Sequence, residues 1–459
     1  MTHPTPNLSP IPLTRQLARQ ALAFDARDIP EDVKEIARHC LLDWFSVALA
    51  AWDSPALRAL EAWAMLEPSP GSASLLGSAQ RVSTSQAALI NGTASHILDF
   101  DDAHLPSRVH PSAPLWPAIL ALAQTRNLSG ERVLAAFAAG VQVQSRLGAV
   151  MGNSHYREGW HNTGTLGTFG ATAAVGRLEG LEEEALCQAF GFAATLTGGL
   201  RSVFGSSAKP LHAGRAAANG LMAAGLVQQG MQTVADILER PGGFVQTYAR
   251  DFDTAQIESP AGLWEIRRIV FKYHASCYGT QAPIEAALAL RKHADRASTC
   301  RVDVHVEPQY MTVCNIAKPS SVSEAKFSIA HMVALALAGR DTSNEKNLSG
   351  SALHDPDILA WRDLIHVHGD PAMARANARV VVHGPGGEAA HTHNASQPQA
   401  DLAQQRRRLL EKSSALLRPR YGERASTLAQ ERLLAIDRQS ELADWLHQLL
   451  AELNQASRA

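Results

Sequence analysis

The chain has 459 residues, 46% hydrophobic and 19% charged, which at about 150 residues per domain is roughly two to four domains with ample material for a buried core. Lysine plus arginine (42) nearly cancels aspartate plus glutamate (44). That balance excludes a disordered polyelectrolyte and leaves no basic excess for nucleic acid or an anionic membrane as partner.

The N-terminus, MTHPTPNLSPIPLTRQ, lacks the charged start and apolar run of a secretory leader. From about residue 12 to 260 the apolar spacing is helical almost throughout. Val33, Ile36, Ala37, Cys40, Leu41, Trp44, Val47, Ala48 and Ala51 recur at intervals of three and four, with Pro30 at the first turn. Further helices are predicted over 54–64, 84–98, 112–124, 129–148, 164–178, 182–196, 210–229 and 233–239. Many are rich in alanine and glycine, which lets helices approach closely. Near residue 265 the period changes: Val302, Val304 and Val306 alternate with Asp303 and His305, and 364–368 and 378–383 look the same, so all three read as strands. Helices over 281–293 and 324–339 are interleaved with them. A polar stretch, 384–399, precedes helices over 400–418 and 427–453. The predicted fold class is mainly α. A large all-helical domain is expected over 1–266 and 399–459, and a smaller α+β lid over 267–398. No uncharged stretch reads as a membrane span of ~20 residues. The five cysteines are widely spaced with no C-x-x-C pair, which is neither a disulfide framework nor a zinc pattern. The compartment expected is a reducing one, the cytoplasm.

Four segments carry candidate chemistry. The first, residues 96–111, packs Asp99, Asp101, Asp102, His96, His104 and His110 behind an apolar helix. It reads either as a solvated, capped loop or as a site, and Leu98 and Phe100 alternating with the acids turn some carboxylates inward, where they need partners. A divalent metal is chemically possible there, but the spacing matches no standard ligand motif. The second, residues 159–170, has glycines every third residue and no preceding strand, so it is no dinucleotide fingerprint. Its glycines suit close helix packing, and His161 stands just before that helix, where the positive dipole end favours a neutral ring able to accept a proton. The third, residues 207–215, sets Lys209 at a helix entrance marked by Pro210. A cation there either swings into solvent or serves to hold a carboxylate. The fourth, residues 271–278, carries Lys272 and His274 among aromatics.

Together LDFDDAHLPSRVHPS, GWHNTGTLGTFGA, SAKPLHAGRAAANG, FKYHASCYGTQ and CNIAKPSSVSEAKFS resemble, in order and over nearly the whole chain, the MmgE/PrpD family. Its members include 2-methylcitrate dehydratases, cis-aconitate decarboxylases and iminodisuccinate epimerases. The resemblance implies a helical domain plus an α+β lid with the active site between them, a homodimer, a small polycarboxylate substrate, and no metal or organic cofactor. It implies catalytic roles for Asp99, His110, His161, Lys209 and Lys272, with His104, Lys209, Lys272 and His274 binding substrate. Two lysines would hold carboxylates, and a neutral histidine would remove a proton next to one. The sequence departs from the family pattern at Ala103, where several relatives have a hydroxyl residue. It departs again after Lys272, where many have a proline, and in a slightly longer acid loop. The expected activity is a lyase of the 2-methylcitrate dehydratase type. Iminodisuccinate epimerisation and cis-aconitate decarboxylation are its rivals within the family. Outside it, the alternatives are a metal-dependent hydrolase built on Asp99, Asp101, Asp102, His104 and His110, or a non-catalytic helical scaffold.

Overall fold

The computed structural model describes residues 12–67, 69, 71–258, 260, 262–348 and 350–456; residues 1–11, most of the N-terminal stretch read for a secretory leader, lie outside the described residues. The chain forms two compact units, one comprising Met1–Ile97, Asp101–Ile269 and Asp401–Ala459, the other Leu98–Phe100 and Val270–Ala400.

The first unit is helical. Its main helices are α1 (Leu13–Leu22), α2 (Glu31–Ala50), α3 (Pro55–Ala64), α4 (Thr84–Ile97), α5 (Ser112–Ala123), α6 (Gly130–Met151), α7 (Asn162–Leu178), α8 (Glu183–Leu196) and α9 (Ala208–Gln228). Serines start two of them: Ser54 accepts the Leu57 amide ahead of Pro55, and Ser129 accepts the Arg132 amide. α6 is long and apolar enough to cross a membrane by composition, yet it lies buried in the core of this unit. Around it Leu17, Val143, Leu147, Leu166, Phe169, Phe190 and Phe244 form one apolar cluster. The helix predicted over 233–239 does not form. There the Leu238 amide donates to Thr14 Oγ1, and Glu239 accepts from the Thr14 amide and hydroxyl, so tertiary hydrogen bonds replace the helical ones.

α4 and α9 meet through glycine. A Cβ on Gly92 would lie 2.8 Å from Gly214 Cα, and one on Gly214 would collide with the Leu89 carbonyl and the Thr93 hydroxyl. This close approach fixes the two helices whose ends carry His96 and Lys209.

The second unit holds α10 (Tyr278–Leu290), α11 (Ile329–Leu337) and a four-stranded sheet of β1 (Arg301–Val306), β2 (Ile365–Gly369), β3 (Asn377–Gly384) and β4 (Gly387–Asn394). The strand order is β2-β1-β3-β4, with β1 and β2 parallel and the other pairs antiparallel. Val302, Val304, Val306, Val380 and Val382 are buried, and α10 and α11 pack on the sheet. β4 falls inside the stretch read as polar loop. It is an edge strand paired only with β3 and mostly exposed, so it lacks the apolar alternation that reveals a strand. The helix predicted over 324–339 is broken into Val322–Ala325 and α11, because the Ser328 side chain caps the His331 amide and starts a new helix.

The chain then returns to the first unit with α12 (Leu402–Leu434), broken at Gly422 (φ 80°), and α13 (Trp445–Ala456). The helix predicted over 427–453 is therefore two helices. α12 lies on α2 along a buried polar seam: Gln405 with His39 at 2.9 Å, Ser413 with Ser46 at 2.9 Å, and Lys412 with Asp43 at 2.6 Å.

Two outcomes follow from this packing. Gly214→Ala is expected to destabilise the fold by about 1–3 kcal/mol through overpacking against α4, read as a lowered thermal midpoint with helix content retained. In Lys412→Met the Asp43 carboxyl loses its counter-ion. Burial already pushes that carboxyl up to about 7. A carboxyl whose folded value exceeds its unfolded one weakens folding as pH rises through that window, and the weakening is relieved on acidification. The variant should thus lose about 3–5 kcal/mol near pH 8 and recover part of it near pH 5, as measured by thermal denaturation at both.

Candidate active site

In the first unit the ends of three helices and one loop bring four imidazoles together. His96 sits in the last turn of α4, His110 just before α5, His161 at the N-cap of α7, and His212 in the second turn of α9. The ring centroids of His96 and His110 are 4.7 Å apart, those of His96 and His161 5.8 Å, and those of His161 and His212 5.3 Å. His161 Nδ1 lies 3.1 Å from His212 Nδ1, so one nitrogen carries the hydrogen and the other accepts.

The loop from 101 to 110 is a tight hairpin. His104 and Val109 bridge through their backbones, Arg108 takes a left-handed φ of 54°, and Asn162 Nδ2 donates to the Ser107 carbonyl at 2.7 Å. Asp101 and Asp102 are fully buried. Asp102 accepts from the Ser112 hydroxyl at 2.6 Å and the Ser112 amide at 3.2 Å, which ties the loop to the start of α5. Burial, opposed by these bonds, pushes the Asp102 carboxyl up to about 6. Asp101 faces the histidines: its carboxylate is 2.8 Å from His96 Nδ1 and 3.3 Å from His110 Nδ1. The two imidazoles hold it well below the usual carboxylate range against the opposing effect of burial.

Burial lowers His96 to about 4 and His161 well below its ordinary value, and the nearby charge of Lys209 adds to both shifts. The neutrality expected of His161 from the helix dipole is thus produced mainly by desolvation. Lys209 is the second residue of α9, with Nζ 5.3 Å from the centroid of the Phe204 ring, and that ring stands edge-on to His161 with centroids 4.9 Å apart. Cation, apolar wall and neutral base therefore adjoin.

The remaining sequence-predicted residues divide between the units. In the first, His104 has both ring nitrogens engaged, with Ser107 Oγ at 2.7 Å and Glu265 at 3.1 Å, and Glu265 also binds Arg146 at 2.7 Å. In the second, Lys272 is buried, with Nζ 2.5 Å from the Asp99 carbonyl and 3.2 Å from its carboxylate. Asp99 itself takes a φ of 51°, a conformation that non-glycine residues adopt at a cost. His274 is buried there between Thr342 Oγ1 at 2.7 Å and Glu285 at 3.2 Å. Of the residues in the metal-hydrolase alternative, Asp102 and His104 have their polar atoms committed to Ser112, Ser107 and Glu265.

His110, His161 and Lys209 are brought together in the first unit; Asp99 and Lys272 pair in the second. The sequence reading gave no site role to His96 or His212, and gave Asp101 one only in the metal-hydrolase alternative. A signal for His212 was present, since it lies one turn after Lys209 on a helix already recognised. For His96 and Asp101 the only signal was that one follows the other by five residues across a helix end.

The N-terminal domain model of the MmgE/PrpD family matches residues 15–257, and its C-terminal domain model matches residues 274–437. A cis-aconitate decarboxylase of Aspergillus terreus is 28% identical over 352 residues, 71% of this chain and 71% of that protein. The cis-aconitate decarboxylase of Homo sapiens is 33% identical over 227 residues, 47% of each chain, and that of Mus musculus is 31% identical over 226 residues, 46% of this chain and 45% of that one. With both domain models matched over most of its length, the chain belongs to the MmgE/PrpD family.

Proposed function

We propose that this MmgE/PrpD enzyme is a cofactor-independent lyase that moves a proton at carbon next to a carboxylate of a small di- or tricarboxylate, with decarboxylation of the cis-aconitate type as the outcome. One observation carries the proton chemistry: a buried, neutral His161 beside Lys209, in a cluster of imidazoles served by one carboxylate. The similarity to cis-aconitate decarboxylases favours loss of carbon dioxide over dehydration of the 2-methylcitrate type or epimerisation.

The step balances without a redox partner. The bond from carbon to one carboxylate breaks, carbon dioxide leaves, and the electron pair stays on carbon, spread towards a neighbouring carboxylate. Lys209 stabilises that charge, and an imidazolium returns a proton to carbon. A neutral His161 becomes a donor once a polyanion binds, because added negative charge raises its affinity for a proton. Lys272, braced by Asp99, is proposed as a second carboxylate-binding cation. His104 and His274, with both nitrogens engaged, are assigned to holding their own segments.

His161→Gln should lower kcat by roughly 10²–10⁴-fold, the usual cost of a lost acid–base group. Lys209→Met, which keeps volume and removes charge, should raise KM and lower kcat together. Retention of near-full kcat by His161→Gln would sink the assignment. In deuterated water each turnover of cis-aconitate should release one carbon dioxide and place deuterium on carbon. Water release without carbon dioxide from a hydroxylated tricarboxylate would instead identify a dehydratase.

A further inference from the structure

Asp101 bonds one imidazole and lies within reach of a second. Its carboxylate lies 2.8 Å from His96 Nδ1 and 3.3 Å from His110 Nδ1. A carboxylate only accepts, so His96 Nδ1 carries the hydrogen and its Nε2 is left as the basic atom, while His110 Nδ1, buried 3.3 Å from the same carboxylate, makes no hydrogen bond among the described residues. His96 is almost fully buried at 1% exposure, and its Nε2 has no hydrogen-bond partner among the described residues. The ring is wedged edge-on to His110 and nearly parallel to His161, at 60° and 18°. A buried imidazole with one nitrogen unsatisfied is a costly way to fill space.

We propose that Asp101 joins His96 and His110 into one proton-sharing unit, in which His96 is a positioning residue that competes with His110 for a single carboxylate. The proposal deepens, and rests on, the reading of this cluster as the proton-transfer site. When either ring takes a proton it forms an ion pair with Asp101. While the other ring also draws on that carboxylate, the pair is weaker than it would be alone, so the proton is held but not trapped. Other charges bear on the unit from the elements packed around it. Asp43 on α2, paired with Lys412 from α12, and Asp102 in the loop add negative charge behind Asp101. Lys209 and His212 on α9 and His161 on α7 face the rings from the other side. None of these is altered by the substitutions below.

The competition makes two variants move in opposite directions. Asp101→Asn removes the charge that favours an imidazolium, and should shift the proton-transfer limb of the pH–rate profile to lower pH by about one unit or more. His96→Phe keeps a ring in place but removes the competing donor. It leaves Asp101 wholly to the other histidine and should shift the same limb to higher pH. Asp101→Glu, which restores the charge, should return the limb towards its original position. The titration of labelled histidine ring resonances, followed by NMR in the substrate-free protein, should show the same opposed displacements. That readout needs no turnover, so it separates failure of this proposal from failure of the proposed reaction. A shift of both variants in one direction, or a fall in kcat with limb and resonances unmoved, would reduce His96 to packing and overturn the proposal. Should Asp101→Asn not fold, Asp101→Glu and His96→Phe decide alone: an unmoved limb in His96→Phe overturns it.

Discussion

Among the described residues no lysine or arginine is bonded to the buried Asp101 carboxylate, and the arrangement of the first unit around residues 101–110 answers that constraint. An ionised carboxylate in such a place needs donors on every side. His96 arrives from the end of α4 and His110 from the start of α5, so both helix ends are drawn to one anion. Asp102, the next residue, turns the other way and accepts from Ser112 at the head of α5. Two adjacent aspartates thus do different work: one fixes the loop to a helix and the other collects imidazoles.

The precision of that cluster depends on packing that involves no charge. α4 and α9 approach closely enough that Gly92 and Gly214 touch backbone to backbone. His96 and Lys209 lie at the far ends of those two helices, so a small displacement of one helix on the other is carried to the site. The alanine- and glycine-rich composition of these helices, which in isolation says only that they pack tightly, is therefore a condition for the geometry of the candidate site.

Desolvation also governs the electrostatics. His161 lies at a helix N-terminus, where the macrodipole disfavours a positive ring, but dipole effects are worth a fraction of a kcal/mol to a few kcal/mol at most. Near-complete burial beside Lys209 is the larger influence, and it holds the ring neutral. The buried Lys412–Asp43 pair shows the same balance in a structural role: the fold tolerates two charges away from water because they lie 2.6 Å apart.

Local periodicity was legible in the sequence wherever one face of an element met an apolar core. The three- and four-residue spacing of α2 and the valine alternation of β1 needed no partner to be recognised. It failed where the partner decided the structure. The exposed edge strand β4 shows no alternation, residues 233–239 give their hydrogen bonds to Thr14, and Ser328 divides a continuous apolar stretch into two helices. At the candidate site, 96–111 was visible as an unusual density of titratable residues, 159–170 as a histidine before a glycine-rich helix and 207–215 as a lysine at a helix entrance, and their order marked the family. Which aspartate faces the histidines was not. Asp99, Asp101 and Asp102 are equally acidic in sequence, and only the folded chain pairs Asp101 with His96 and Asp102 with Ser112. Spacing along a chain reports neighbours on one helix or strand. The meeting of His96, His110, His161 and His212, from four elements spread over more than a hundred residues, is set by helix packing alone.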